Sequence, residues 1–336
     1  MTSRDIVRRA LRFERPPRLP VRFPSFQCDD MAWLPLTPPV SPTPENGNVD
    51  EWGCVWQATE VPNMGQVKGH PLSDIQRLDG YQFPAMDIEE RFRNCSAALD
   101  KAEQQSKYVC AEIFMVLFER MHSLHGFEAT LCDLIADRPA MEALADRLID
   151  VQIEFVRAVY RRFGSRVHGI GMTDDWGTQQ AGFVSIGMWR DFFLPRYKRL
   201  YDLMHSCGYD VWLHSCGKVN ELLEGFIEAG VDAVNLLQPQ ALGIEEIGQR
   251  YRGRILLESS ADIQSTLPTG DRAKIESDVD ALMEHWAGPD GGFALCDYGD
   301  PRAIGVTSTD AKLWMYRRFS EHSERLYGQP LPQPVY

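Results

Sequence analysis

In the segment Trp212-Leu213-His214-Ser215-Cys216-Gly217, an imidazole and a thiol stand two residues apart at the end of an apolar run. A β-strand repeats every two residues, so both side chains project from one face and can reach a single metal ion. A third group, Cys296, follows the short apolar run Phe293-Ala294-Leu295. If both runs are strands of a parallel barrel, His214, Cys216 and Cys296 converge on the carboxyl-terminal rim, where such barrels build active sites. One nitrogen and two sulfurs suit zinc and leave its fourth tetrahedral position for water, substrate or a carboxylate. That is the arrangement of a catalytic site rather than a closed structural one. A cysteine at a strand end is often no more than a small buried hydrophobe, but a third cysteine on the same rim favours the metal. The neighbouring His205-Ser206-Cys207-Gly208 repeats the letters at the end of a helix, where residues two apart diverge, so it is read as incidental.

Other polar residues fall at the same kind of position. Asp174, Asp175 and Gln179 follow the apolar run ending at Met172, Gln238 follows Leu237, and Glu258 and Asp262 follow the run at Ile255. Each also fits a helix cap or a loop bond. Their shared location makes Asp174, Asp175, Gln179, Gln238 and Asp262 the catalytic candidates. Glu258 or Asp262 can complete a zinc shell, while Asp174 or Gln179 can position a substrate.

These groups need elements to carry them. Helical and short apolar segments alternate along most of the chain, the rhythm of parallel βα units. Strands are expected at Leu19–Phe23, Tyr108–Ile113, Val167–Met172, Asp210–Leu213, Ala233–Leu237, Arg254–Glu258 and Phe293–Leu295. Helices are expected at the amphipathic start (Ile6, Val7, Ala10, Leu11), from Asp137 as cap to Gly164, and over 188–205, 220–229, 244–251 and 272–286. The proline-rich stretch 35–44 reads as a loop over one barrel end. No phosphate-binding glycine loop of the P-loop or dinucleotide type occurs at any strand-to-helix junction, which favours a barrel over a doubly wound nucleotide fold. The expected fold is one domain over 1–336, a single (β/α)8 (TIM) barrel with an N-terminal helical and loop extension. Residues 1–100 form its irregular N-terminal part and first strands, and 101–336 its regular βα units.

With 336 residues, 44% hydrophobic and 25% charged, the chain can bury a large core. Its net charge of −13, without clustered Lys and Arg, excludes nucleic acid as a partner. No apolar run is long enough to cross a bilayer and the first residues lack a secretion signal's apolar core, so a cytoplasmic protein without membrane contact is expected. The eight cysteines are then expected to be reduced.

His214-Ser215-Cys216-Gly217, followed by Gly230-Val231-Asp232-Ala233-Val234-Asn235 and Gln238-Pro239, resembles the uroporphyrinogen decarboxylase superfamily. The resemblance extends to Ala10-Leu11-Arg12-Phe13-Glu14-Arg15-Pro16, Asp174-Asp175-Trp176-Gly177-Thr178-Gln179, Asp262-Ile263-Gln264 and Gly291-Gly292-Phe293. Within that superfamily, His-x-Cys with a later Cys is similar to the zinc motif of methylcobalamin-dependent methyltransferases. The resemblance implies methyl transfer between a corrinoid and a small-molecule thiol or methoxy compound. No Asp-x-His-x-x-Gly corrinoid-ligating motif occurs in the chain, so the methylcobalamin is expected from a separate corrinoid protein or from solution.

Metal-free tetrapyrrole decarboxylases of the superfamily grip substrate carboxylates with an early pair of arginines. Here Arg22-Phe23-Pro24-Ser25-Phe26-Gln27 lacks that pair. Decarboxylation of a porphyrin precursor is therefore the alternative, and a tetrapyrrole- or corrinoid-protein-binding module with structural zinc is a third. Cys296-Asp297-Tyr298-Gly299-Asp300, and Glu258-Ser259-Ser260-Ala261 where relatives carry glycines, depart from the coenzyme M enzymes and leave the methyl acceptor open.

Overall fold

A computed structural model describes residues 1–60 and 65–335. Its main sheet contains eight parallel strands: β1 (Val21–Phe23), β2 (Met31–Trp33), β3 (Tyr108–Ile113), β4 (Gly169–Thr173), β5 (Asp210–His214), β6 (Ala233–Asn235), β7 (Leu256–Ser259) and β8 (Phe293–Cys296). Their order is β1-β8-β7-β6-β5-β4-β3-β2, and Cys28–Asp29 pairs antiparallel with β1. Asp30 draws the two ends together. Its backbone N–H donates to Val21 O at 2.8 Å, its carboxylate accepts Val21 N at 2.9 Å, and Arg18 grips both carboxylate oxygens at 2.6 Å.

Seven of the strands are followed by helices that cover the sheet. These are α2 (Cys95–Gln104), α3 (Arg138–Phe163), α4 (Leu194–Ser206), α5 (Leu223–Ala229), α6 (Ile244–Tyr251), α7 (Arg272–His285) and α8 (Thr309–Tyr327). Strand interiors rich in Val, Ile, Leu and Ala are buried on both faces, as a parallel sheet under helices requires. The helix predicted from Asp137 is α3, with the Asp137 side chain accepting Ala140 N and Pro139 in the first turn. The architecture is the (β/α)8 barrel that the alternation predicts.

One expectation changes. The amino-terminal helix α1 (Ser3–Leu11) is not an extension. Its apolar stripe of Val7, Ala10 and Leu11 packs with Tyr108, Cys110, Trp212, Ala233, Leu256 and Ala294, so it plugs the floor of the barrel. The physical reason is that an open floor would leave these inward-facing residues wet, and an amphipathic helix seals it while burying its own stripe. Residues 1–100 contain β1, β2, the start of α2 and the antiparallel pair Val55–Gln57 with Gln66–Gly69. The Pro35–Pro44 stretch lies at the carboxyl-terminal end of β2, as expected of a loop over one barrel end. Among the described residues, no helix is long and apolar enough to cross a membrane.

Candidate metal centre

Strand register builds the centre from one row of inward-facing side chains. Thr173 pairs with His214, His214 with Asn235, and Asn235 with Glu258, so β4 to β7 present these residues at one level near the carboxyl ends of the strands. Along this row runs a polar chain. Arg22 of β1 holds Glu258 bidentately, with Nε to Oε1 and Nη2 to Oε2 both at 3.0 Å. Asn235 Nδ2 donates to Glu258 Oε2 at 2.7 Å and to Cys296 Sγ at 3.2 Å. His214 Nδ1 meets Asn235 Oδ1 at 2.6 Å.

That chain settles the imidazole tautomer. A carboxylate gripped by arginine offers only acceptors, so the Asn235 amide must turn its NH2 to Glu258 and its oxygen to His214. His214 then donates from Nδ1, which turns Nε2 toward Cys216 and Asp175. A carboxamide or carboxylate behind the ring is the usual device that orients a metal-ligating histidine.

His214 Nε2 faces the other donors. It lies 3.2 Å from Cys216 Sγ and 3.6 Å from Asp175 Oδ1. One donor atom each from Asp175, His214 and Cys216 lies within 4.8 Å of the others, and all three side chains are partly exposed. A nitrogen, a sulfur and a carboxylate oxygen at this spacing fit around a zinc ion, whose bonds to such atoms are roughly 2.0 to 2.3 Å. The Cys216 thiol is pushed well up by burial and then by the Asp175 carboxylate, two effects that a cation between them reverses.

Two interlocked loops place Cys216 and Asp175. Cys216 N donates to Asp175 Oδ1 at 2.7 Å, Trp176 N to Ser215 Oγ at 3.0 Å, and Lys218 N to Thr178 O at 2.7 Å. Gly217 adopts φ +83°, and a Cβ there would stand 2.2 Å from Gly177 O, so the turn closes only with glycine. Gln238 fixes the turn from the other side, accepting Gly217 N at 2.7 Å.

The remaining predicted residues separate. Cys296 is fully buried at the end of β8, and its sulfur meets Asn235 Nδ2 rather than the group formed by His214, Cys216 and Asp175. It is thus connected to the imidazole through the whole Asn235 amide. Glu258 is committed to Arg22 and Asn235, so it holds the donors in place instead of joining them. Asp174 is fully buried and caps the helix Phe118–His125, accepting Leu117 N at 3.1 Å, Phe118 N at 3.0 Å, Glu119 N at 2.7 Å and the Tyr197 hydroxyl. Burial pushes its carboxyl up to about 6 against those bonds. Asp262 accepts Gln264 N, Ser265 N and Gln240 N, which makes it a loop node. Gln179 is exposed on the turn after Thr178. Asn235 and Arg22 are the positioning residues that sequence reasoning passed over.

Above this row lies a mouth of about 360 Å³, lined by Arg22, Trp33, Met172, Trp212, His214 and Glu258 among others. Trp33 can enter because Gly171 faces it, where a Cβ would come within 2.4 Å of the indole.

Comparison with known proteins agrees with this architecture. Residues 114–295 match the family model for uroporphyrinogen decarboxylase (URO-D). No curated protein sequence matches the chain. Among solved structures, the chain is similar to a methyltransferase from Methanosarcina mazei, with TM-score 0.65 and 16% identity over 94% of this chain and 99% of that one. It is also similar, at TM-score 0.43 and 12% identity over 97% of this chain and 92% of that one, to the catalytic domain of a GH26 endo-beta-1,4-mannanase from Bacillus sp. JAMB-750. The family match covers more than half of the chain, from β4 into β8, and includes His214, Asn235 and Glu258 of the polar row but neither Arg22 nor Cys296. The chain belongs to the uroporphyrinogen decarboxylase family.

Proposed function

We propose that this protein is a zinc-dependent methyltransferase that moves a methyl group between a corrinoid, carried by a separate protein, and a small thiol or methoxy compound. The observation that carries this reading is the convergence of His214 Nε2, Cys216 Sγ and Asp175 Oδ1 beside an open mouth. The methyltransferase from Methanosarcina mazei shares the fold, which is consistent with the reading.

Zinc bound there supplies Lewis acidity, which lowers the pKa of a substrate thiol or improves an ether oxygen as leaving group. The chain's own residues supply position. Asn235, held by Glu258 and Arg22, keeps His214 Nε2 turned toward Cys216 and Asp175. Trp33, Trp212 and Met172 line that mouth with apolar surface, which limits water around a developing thiolate. For a thiol acceptor, a sulfur–carbon bond forms, a cobalt–carbon bond breaks, and the bonding pair stays with cobalt. Decarboxylation of a tetrapyrrole gains little support, because Arg22, the guanidinium lining the mouth, is already taken by Glu258.

Metal analysis with a methyl-transfer assay tests the proposal. The purified chain is expected to carry about one zinc and to move the methyl of methylcobalamin to a thiol, and both properties disappear in His214→Ala and Cys216→Ser. Cys296→Ala decides the third ligand. Loss of zinc assigns the position to Cys296, and full retention assigns it to Asp175.

A further inference from the structure

A second cavity, of about 420 Å³, adjoins the mouth and shares Glu112 with it. Its walls are apolar and aromatic, with Leu34, Leu36 and Val40 from the loop after β2, Trp52 and Trp56 from the amino-terminal part, and Phe114 just past β3. The Trp56 and Phe114 rings lie nearly parallel at 6.3 Å, a flat wall. A volume of this size suits one small organic molecule.

At this cavity sits a cation with spare donors. Arg120 is only 3% exposed and stacks 4.4 Å over Trp52. Its Nη2 donates to Phe114 O at 3.2 Å, but among the described residues Nε and Nη1 have no hydrogen-bond partner, which leaves three of five N–H donors unused. The nearest carboxylate does not serve. Asp50 Oδ2 is 3.8 Å from Nη1, and the Asp50 oxygens already accept Trp52 N, Cys54 N and Trp56 Nε1 at 2.8 to 2.9 Å. Arg91, paired with Glu51, also keeps an unpartnered Nε beside the same cavity. A buried guanidinium in this state carries a desolvation cost that an anionic acceptor offsets.

We infer that this cavity binds the non-reacting end of the substrate, and that this end is a flat apolar body bearing one carboxylate. The carboxylate completes the bonding of Arg120, the ring packs against Trp56 and Phe114, and the reactive end passes Glu112 into the mouth. Charge limits the anion to a single negative, because Asp50, Glu51 and Glu112 line the same cavity as Arg91 and Arg120 and a dianion adds repulsion. The inference rests on the methyl-transfer reading only in treating the mouth as the place of reaction.

Calorimetric titration of the metal-analysed protein with 4-methoxybenzoate, and with 4-methoxybenzyl alcohol as neutral isostere, tests it. The acid is expected to bind about tenfold tighter or more, the range of a charge-assisted hydrogen bond to a buried partner. Arg120→Gln removes that preference. Val40→Trp, at a position 42% exposed on the rim, fills the cavity and weakens both probes at least about tenfold. Equal binding of acid and alcohol, a preference that survives Arg120→Gln, or acid binding untouched by Val40→Trp would each overturn the inference. Should Arg120→Gln fail to fold by circular dichroism, the wild-type comparison and Val40→Trp decide. Zinc content separates the two proposals. A chain without zinc that keeps the acid preference refutes the metal reading and leaves this one standing, whereas a zinc-loaded chain without the preference does the reverse.

Discussion

The two ends of the barrel each contain a buried polar network, and the networks differ in how they finish. At the floor, Asp210 binds Arg12 and accepts the Tyr108 hydroxyl at 2.7 Å, while Trp212 Nε1 donates to that hydroxyl and α1 seals the whole. The partners there bond to one another, with only Arg12 reaching solvent. At the mouth, the series from Arg22 through Glu258 and Asn235 ends on an imidazole whose Nε2 faces a thiol at 3.2 Å and a carboxylate at 3.6 Å, a group of three potential metal donors. A network that closes on itself serves stability, and one that ends on free donors is ready for a ligand. Mutations at the two ends should therefore separate metal binding from folding.

The largest separation is expected from His214→Ala, which should weaken zinc binding by more than about 100-fold, since removing a ligand exceeds the 10- to 100-fold effect of losing a residue behind one. Isothermal titration with zinc measures this, and a melting temperature of the metal-free protein near that of wild type shows the fold intact. Next comes Asn235→Ala. It leaves the donors in place but frees the imidazole to turn, so zinc affinity should fall about 10- to 100-fold. Wild-type affinity in this variant would remove the polar row from the account.

The floor should respond in the opposite way. Leu11→Ala empties the buried end of the plug and should cost about 2 to 4 kcal/mol in urea unfolding with zinc affinity unchanged. The smallest effect belongs to His205, raised above the usual histidine value mainly by its 2.8 Å bond to Asp232. A raised folded-state pKa stabilises fully below the unfolded value near 6.5, and the contribution fades as pH rises through the folded value. The pair is partly exposed to solvent, so His205→Ala should change stability by less than about 1 kcal/mol. That difference should shrink between pH 6 and pH 9, as comparative urea curves at the two pH values can show.

Most barrel strands were legible because β3 to β8 are short apolar runs bounded by Gly, Asp and Pro, and because long amphipathic helices such as α3 carry their caps in the sequence. The helices Phe118–His125 and Phe127–Ala136 were harder to see. Gly126 interrupts them, and the cap of the first is Asp174, which lies 55 or more residues away in sequence. Helix α8 carries arginines on its exposed side, which masked its buried Ala311, Met315 and Phe319. At the site, His214 and Cys216 do come together, but not through the period of two: the strand ends at His214, and the turn at 215–217 carries Cys216. The choice between Asp174 and Asp175 was not legible, since neighbours in a loop point to different sides and only the contact with the turn at 215–217 decides. Register, equally invisible in one sequence, set Asn235 beside His214 and put an amide between the imidazole and Cys296.

X-ray absorption at the zinc edge on the purified chain tests the central claim most directly. The expected result is about one zinc per chain, with one imidazole nitrogen at about 2.0 Å and sulfur at about 2.3 Å, both signals vanishing in the His214 and Cys216 variants. A folded wild-type chain that takes up no zinc, or one whose zinc spectrum is unchanged when His214 is replaced, would contradict it.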